Sequence, residues 1–233
     1  MADDRGPFAG RDVALLDAGG TLLTLDTDRV RAALGEAGGR PTDAELLSAE
    51  AEARRWAGEA VRRTSDWRAI WDGYFTRMLE GAGVPAERIP AAIDRLWRAN
   101  GVTGLWRRAM PGARQALERL RAAGYRLAVV SNAEGRVAED LAAAGLADLL
   151  ETVVDSHLVG VAKPDARIFE IALERLGVAP SRAFYVGDVP AFDVEGAKAA
   201  GLPVVLVDAA GLYPDVGVPR IKGIGELPDL LGL

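Results

Sequence analysis

The apolar positions of this chain fall into two regimes. In the first they recur every three to four residues, the spacing of one helical face. Helices are predicted from Asp28 through Leu34, and from Pro41-Thr42-Asp43 past Trp56 to about Arg63. A third starts at Ser65-Asp66, with Trp67, Trp71, Phe75 and Met78 along one stripe, and a fourth covers about 86–99 after a stop at Gly81-Ala82-Gly83-Val84-Pro85. Residues 23–27 read as irregular, and the block 26–108 holds no strand candidate. All five tryptophans lie in this block. Their plain reading is the bulk a small helical unit needs for a core.

Elsewhere short apolar runs alternate with helical segments. The opening run Val13-Ala14-Leu15-Leu16 is a buried strand that ends at Asp17 and breaks at Gly19-Gly20. From Pro111 the pattern gives helices at 111–123, 135–144, 164–176 and 194–200, and strands at 125–130, 152–154, 182–186 and 203–207. That alternation predicts an α/β fold, a parallel sheet with helices on both faces, carrying an all-helical insertion.

Composition narrows the chemistry. The chain has 233 residues, 49% hydrophobic and 27% charged, as expected of a globular protein. It has no cysteine and a single histidine, His157, which removes thiolate nucleophiles, Cys-ligated zinc and His-rich metal sites. Carboxylates, hydroxyls, Lys, Arg and backbone amides remain. A net charge of −6 argues against a nucleic-acid partner and leaves room for a small anionic substrate. No apolar run approaches the roughly 20 residues that cross a bilayer, so no membrane partner is expected. Met1-Ala2-Asp3-Asp4-Arg5 lacks the pattern of a signal peptide, and a cytoplasmic protein, monomeric or homodimeric, is expected.

In a parallel sheet the C-terminal strand tips share one edge, so residues distant in sequence converge there. Those tips and the loops after them carry Asp17, Ser131-Asn132, Lys163 and Asp188 with Asp193. A carboxylate, a hydroxyl, a lysine and an acidic pair are the parts needed for phosphoryl transfer through an aspartyl intermediate. Asp17 would attack phosphorus, and Mg2+ would be held by Asp17 and Asp188. Ser131 and the amides of the loop through Gly20 and Thr21 would donate to phosphate oxygens, with Asn132 beside them. Lys163 would neutralise charge near the nucleophile. Asp193 either caps the helix that follows it or supports the metal site from behind.

These motifs, Asp17-Ala18-Gly19-Gly20-Thr21-Leu22, Ser131-Asn132, Lys163-Pro164 and Gly187-Asp188 followed by Asp193, resemble those of the haloacid dehalogenase-like hydrolase superfamily. The resemblance covers nearly the whole chain. It implies a Rossmann-like core of 1–25 and 109–233, with 26–108 as a mobile helical cap that closes over substrate. It also implies a magnesium-dependent phosphatase, with the Gly19 carbonyl as a further metal ligand.

The chain departs from the family at Gly19. In the family's phosphatases this position is a second Asp that protonates the leaving group and then activates water. General acid/base help is worth roughly 10²–10⁴ in rate, so its loss predicts slow turnover, a substitute such as Asp26, Asp28 or another cap residue, or a substrate with a good leaving group. A 2-haloacid dehalogenase, which attacks carbon with the same Asp, is the alternative enzyme. It resembles this chain less, because those enzymes carry an aromatic at the Gly19 position and lack a metal site. A weakened binding or regulatory protein on the same fold is the non-enzymatic alternative. Arg29, Arg31 and the tryptophans of 26–108 are the candidate substrate recognisers.

Overall fold

A computed structural model of the chain describes residues 6–35, 39–64 and 66–233; Met1–Arg5 and Ser65, read above as the chain start and a helix start, lie outside the described residues. The chain divides into two compact units, Leu25–Trp106 and the remainder. The larger unit begins with strand β1 (Val13–Leu16), buried at every position. The chain leaves through β2 (Leu23–Leu25) and returns through β3 (Trp106–Ala109), which pair as a separate two-stranded sheet. Strands β4 (Arg126–Ser131), β5 (Thr152–Asp155), β6 (Ala183–Gly187), β7 (Val204–Val207) and β8 (Arg220–Ile221) complete a six-stranded sheet in the order β5-β4-β1-β6-β7-β8. Every pairing in it is parallel.

This order puts β1 in the middle, with Leu16 in register with Val129 on one side and Val186 on the other. Strands buried on both faces are near-continuous apolar runs, as β1, β4 and β6 are. One face packs Val13, Leu15, Val130 and Tyr185 against Ile168, Phe169 and Leu173. The C-terminal ends of β4, β1 and β6 therefore stand side by side, and the chain order reverses around β1. Ligands bind open α/β sheets at such a reversal.

The smaller unit is built from α1 (Thr27–Leu34), α2 (Asp43–Ala60), α3 (Trp67–Gly81) and α4 (Ile89–Thr103). Its core includes Leu46, Phe75, Met78 and Leu96, with Trp56, Trp71, Trp97 and Trp106 packed on it. Trp71 makes edge contacts with Tyr74 at 5.1 Å and Trp106 at 5.8 Å between ring centroids, so these indoles serve the unit's own core. The side chain of Trp67 lies outside the description.

The remaining helices are α5 (Ala113–Ala122), α6 (Val137–Ala143), α7 (Ser156–Val159), α8 (Arg167–Leu176), α9 (Glu195–Ala199) and α10 (Leu227–Leu230). Several sequence expectations shift. Residues 23–25 and 106–109 form strands where an irregular segment and a strand-free block were expected, because the two linkers satisfy their backbones by pairing with each other. Asp26, and not Asp28, caps α1, its carboxylate accepting the Arg29 N–H at 3.2 Å. α8 starts at Arg167, three residues beyond Pro164, and residues 190–194 form a π-helical turn before α9.

α2 starts where the sequence predicts, after Thr42. Thr42 accepts the Glu45 N–H at 3.2 Å while the Glu45 carboxylate takes the Thr42 N–H at 2.7 Å, a reciprocal capping box. Thr42→Ala is expected to cost about 1 kcal/mol of stability, read by chemical denaturation.

Candidate active site

Asp17 follows β1 directly, and its N–H donates to the Val186 carbonyl at 2.8 Å, which extends the sheet by one residue. The next residues fold back on themselves. The Ala18 carbonyl accepts the N–H groups of Leu22 and Leu23, each at 2.8 Å, and Gly20 takes φ 80°, a conformation that favours glycine. The Gly20 N–H donates to Leu23 at 2.7 Å and the Thr21 N–H to Ala18 at 3.3 Å, so these two amides build the turn and do not aim at a ligand, contrary to the sequence expectation. The Thr21 hydroxyl is different. It is buried and has no hydrogen-bond partner.

Lys163, 3% exposed, occupies the centre. Its ammonium donates to Asp17 Oδ1 at 2.6 Å, Asp193 Oδ1 at 2.7 Å and the Tyr185 hydroxyl at 2.9 Å. Three N–H bonds meet three acceptors. Asn132 grips the lysine's main chain from both sides, accepting its N–H at 2.8 Å and donating to its carbonyl at 3.0 Å. The Asn132 side chain is therefore engaged in placing Lys163. Ser131 ends β4 and is buried beside this clamp.

Asp193 sits in the π-helical turn with both oxygens in use. Oδ2 accepts the N–H groups of Asp188 and Val189 at 2.9 and 2.8 Å, and Oδ1 faces Lys163 and the Tyr185 hydroxyl. The amides it satisfies precede it in the chain, so it is no N-cap of the helix after it. A carboxylate has about four lone-pair positions, and here all are engaged. The geometry needs glycine at 187, where a Cβ would lie 2.4 Å from the Asp193 carboxylate carbon.

Asp188 follows β6, and one carboxylate oxygen from each of Asp17, Asp188 and Asp193 lies within 4.8 Å of the others. The Lys163 ammonium bonds two of these three buried carboxylates, Asp17 and Asp193. One oxygen from each of the three is close enough to the others to share a metal ion, and Asp193 already has both oxygens hydrogen-bonded. Burial alone would lower the Lys163 pKa, but the charges of Asp17 and Asp193 outweigh it and hold the ammonium well above the ordinary lysine range. Burial pushes the Asp17 carboxyl up from its ordinary value of 3.8, only partly opposed by Lys163. Burial and the neighbouring carboxylates also raise Tyr185, so its phenol stays protonated.

Sequence reading overlooked Tyr185. The signal was present, since a hydroxyl in a strand buried on both faces must find a partner. Other candidates are engaged elsewhere. Asp26 caps α1 and pairs with Arg29, while Arg31 pairs with Asp28 and Asp43. His157 is exposed.

The sequence profile of the haloacid dehalogenase-like hydrolases matches residues 12–201. A phosphatase of Mycobacterium tuberculosis is 30% identical over 220 residues, 94% of this chain and 97% of that one. An (S)-2-haloacid dehalogenase of Burkholderia cepacia is 32% identical over 216 residues, 89% and 87% of the two chains. Among solved structures, a magnesium-bound HAD-hydrolase of Bacillus subtilis shares the fold with a TM-score of 0.71 at 19% identity, covering 96% of this chain and 99% of that one.

Two outcomes follow from the site's electrostatics and packing. A carboxyl whose folded pKa is raised contributes stability below its unfolded value and loses it as pH rises through the folded one. In chelator, the melting temperature of Asp17→Asn relative to the parent protein is therefore expected to shift in the variant's favour as pH rises above 3.8; a difference that shifts the other way contradicts this. Gly187→Ala drives a methyl into Asp193 and is expected to lower both the melting temperature and hydrolase activity.

Proposed function

Because the chain belongs to the haloacid dehalogenase-like hydrolase family, we propose that it is a magnesium-dependent phosphatase acting on a small phosphorylated substrate through an aspartyl-phosphate on Asp17. The observation that carries this reading is the convergence of three buried carboxylates, one oxygen from each of Asp17, Asp188 and Asp193 lying within 4.8 Å of the others, with Asp193 held in place by Lys163, Tyr185 and two backbone amides. A hard divalent cation with oxygen ligands fits that charge and that donor set. Asp17, Asp188 and the Gly19 carbonyl would hold it, and when bound it would screen Asp17 from the substrate's negative charge.

The chain's own groups supply the rest. An oxygen of Asp17 attacks phosphorus while the bond from phosphorus to the leaving oxygen breaks. Lys163 keeps the nucleophile charged and fixes its rotation through the 2.6 Å contact. The Ser131 hydroxyl donates to a phosphoryl oxygen, and the buried Thr21 hydroxyl gains the partner it lacks. Water then attacks phosphorus, releases inorganic phosphate and restores the Asp17 carboxylate. Position 19 offers no carboxyl to protonate the leaving oxygen or to take the proton of this water. The reading therefore assigns substrates whose leaving group departs as a stable anion, aryl or acyl phosphates, with residues 26–108 as the cap that selects among them.

Magnesium-dependent phosphate release from an aryl phosphate is expected, and it disappears in Asp17→Asn. Halide release from a 2-haloacid without metal would instead establish the dehalogenase chemistry of the Burkholderia relative. Gly19 is outside the positive-φ region, so its backbone admits a side chain. Gly19→Asp is expected to raise phosphatase turnover, within the roughly 10²–10⁴-fold range of general acid/base help. An unchanged rate in the folded variant would show that the site lacks more than this acid.

A further inference from the structure

We propose that Tyr185 is a positioning residue for the hydrolase reaction: its hydroxyl is the third acceptor that fixes the Lys163 ammonium against Asp17. This rests on the assignment of Asp17 and Lys163 above. Tyr185 lies in the middle of β6, in register with Leu15 of β1 and Val204 of β7. Its ring packs edge-on against Phe169 at 4.9 Å and is fully buried. A phenylalanine would fill that volume equally well. The hydroxyl adds a desolvation cost to the core, and it is offset only by what the oxygen binds.

The oxygen joins three elements. It accepts from Lys163 Nζ at 2.9 Å, and its single proton faces the Val130 carbonyl at 3.1 Å and Asp193 Oδ1 at 2.9 Å. Val130 directly precedes Ser131, so one hydroxyl connects the tip of β4, the turn after β6 and the lysine. With the hydroxyl in place each of the three ammonium N–H groups has an acceptor, whereas the two carboxylates alone serve two of them. Removing the hydroxyl leaves one buried N–H unpaired and takes a donor from Asp193 Oδ1. The contact between Nζ and Asp17 Oδ1 then loses its direction, and with it the set of the Asp17 carboxylate. Such an error penalises the step in which that carboxylate reacts more than it penalises binding.

Tyr185→Phe and Lys163→Met are tested side by side with magnesium and p-nitrophenyl phosphate, and the lysine ammonium groups are followed by nitrogen-15 NMR. The chain has three lysines, Lys163, Lys198 and Lys222, so the Lys163 signal is assigned by its loss in Lys163→Met. Tyr185→Phe is expected to lower kcat about 10- to 100-fold, the worth of one hydrogen bond to a charged group, with KM nearly unchanged. The Lys163 ammonium is expected to exchange with water slowly in the parent protein and faster in Tyr185→Phe. A parental kcat in folded Tyr185→Phe, while Lys163→Met is inactive, overturns the role of Tyr185 alone. Full activity in Lys163→Met overturns the underlying site assignment instead. Should Tyr185→Phe not fold, a Lys163 ammonium in the parent protein that exchanges as fast as those of Lys198 and Lys222 overturns the three-acceptor arrangement.

Discussion

A lysine ammonium taken almost wholly out of water must be neutralised and hydrogen-bonded on the spot, and Lys163 meets that demand with Asp17, Asp193 and Tyr185. Much of the site's local structure can be traced to this requirement. Asn132 clamps the lysine's backbone, Asp193 spends its second oxygen on the amides of Asp188 and Val189, and Gly187 stays bare so that Asp193 can approach. Gly196 continues the same logic one helix further, since a Cβ there would lie 3.0 Å from the Pro164 backbone beside Lys163. Breaking such a buried pair typically costs about 3–5 kcal/mol, so each of these residues is coupled to the others.

The third carboxylate beside this arrangement is as informative as the two it engages. Lys163 bonds Asp17 and Asp193, and Asp188 is the third carboxylate of the same cluster. A fold that gathers buried carboxylates at the crossover point of a parallel sheet holds charge at a cost there, and on the proposed reading a divalent cation would offset it. Functional sites commonly hold such charge at the expense of stability. The family relationship makes hydrolysis the frame for this site. On the proposed reading Gly19 then restricts which hydrolysis, because the turn that carries Asp17 supplies no second carboxyl.

The sheet and its tips were legible because their signals are local. Apolar runs that end in Asp17, Ser131 and Asp188 fix strands and their ends, and parallel pairing brings those ends together. The details that escaped depend on tertiary partners. Residues 23–25 and 106–109 are strands only because each pairs with the other, and neither carries a strand pattern alone. The clamp of the Asn132 side chain on the Lys163 backbone joins residues 31 apart and has no local signal. Tyr185 was hidden in an apolar run, its hydroxyl given meaning only by a lysine 22 residues earlier. Gly20 and Thr21 were expected to present amides outward, and the tightness of their turn directs them inward.

The central claim is that Asp17 becomes phosphorylated. Without an acid/base at position 19, an aryl phosphate can still transfer its phosphoryl group, while the water step that follows is slow, so the covalent intermediate accumulates. The direct measurement is mass spectrometry of the Asp17-containing peptide after acid quench of the protein mixed with magnesium and an aryl phosphate. The account predicts a peptide heavier by one phosphoryl group, formed in a burst close to one per protein and absent in Asp17→Asn. An unmodified peptide during sustained phosphate release, or a phosphoryl group on another residue, would contradict it.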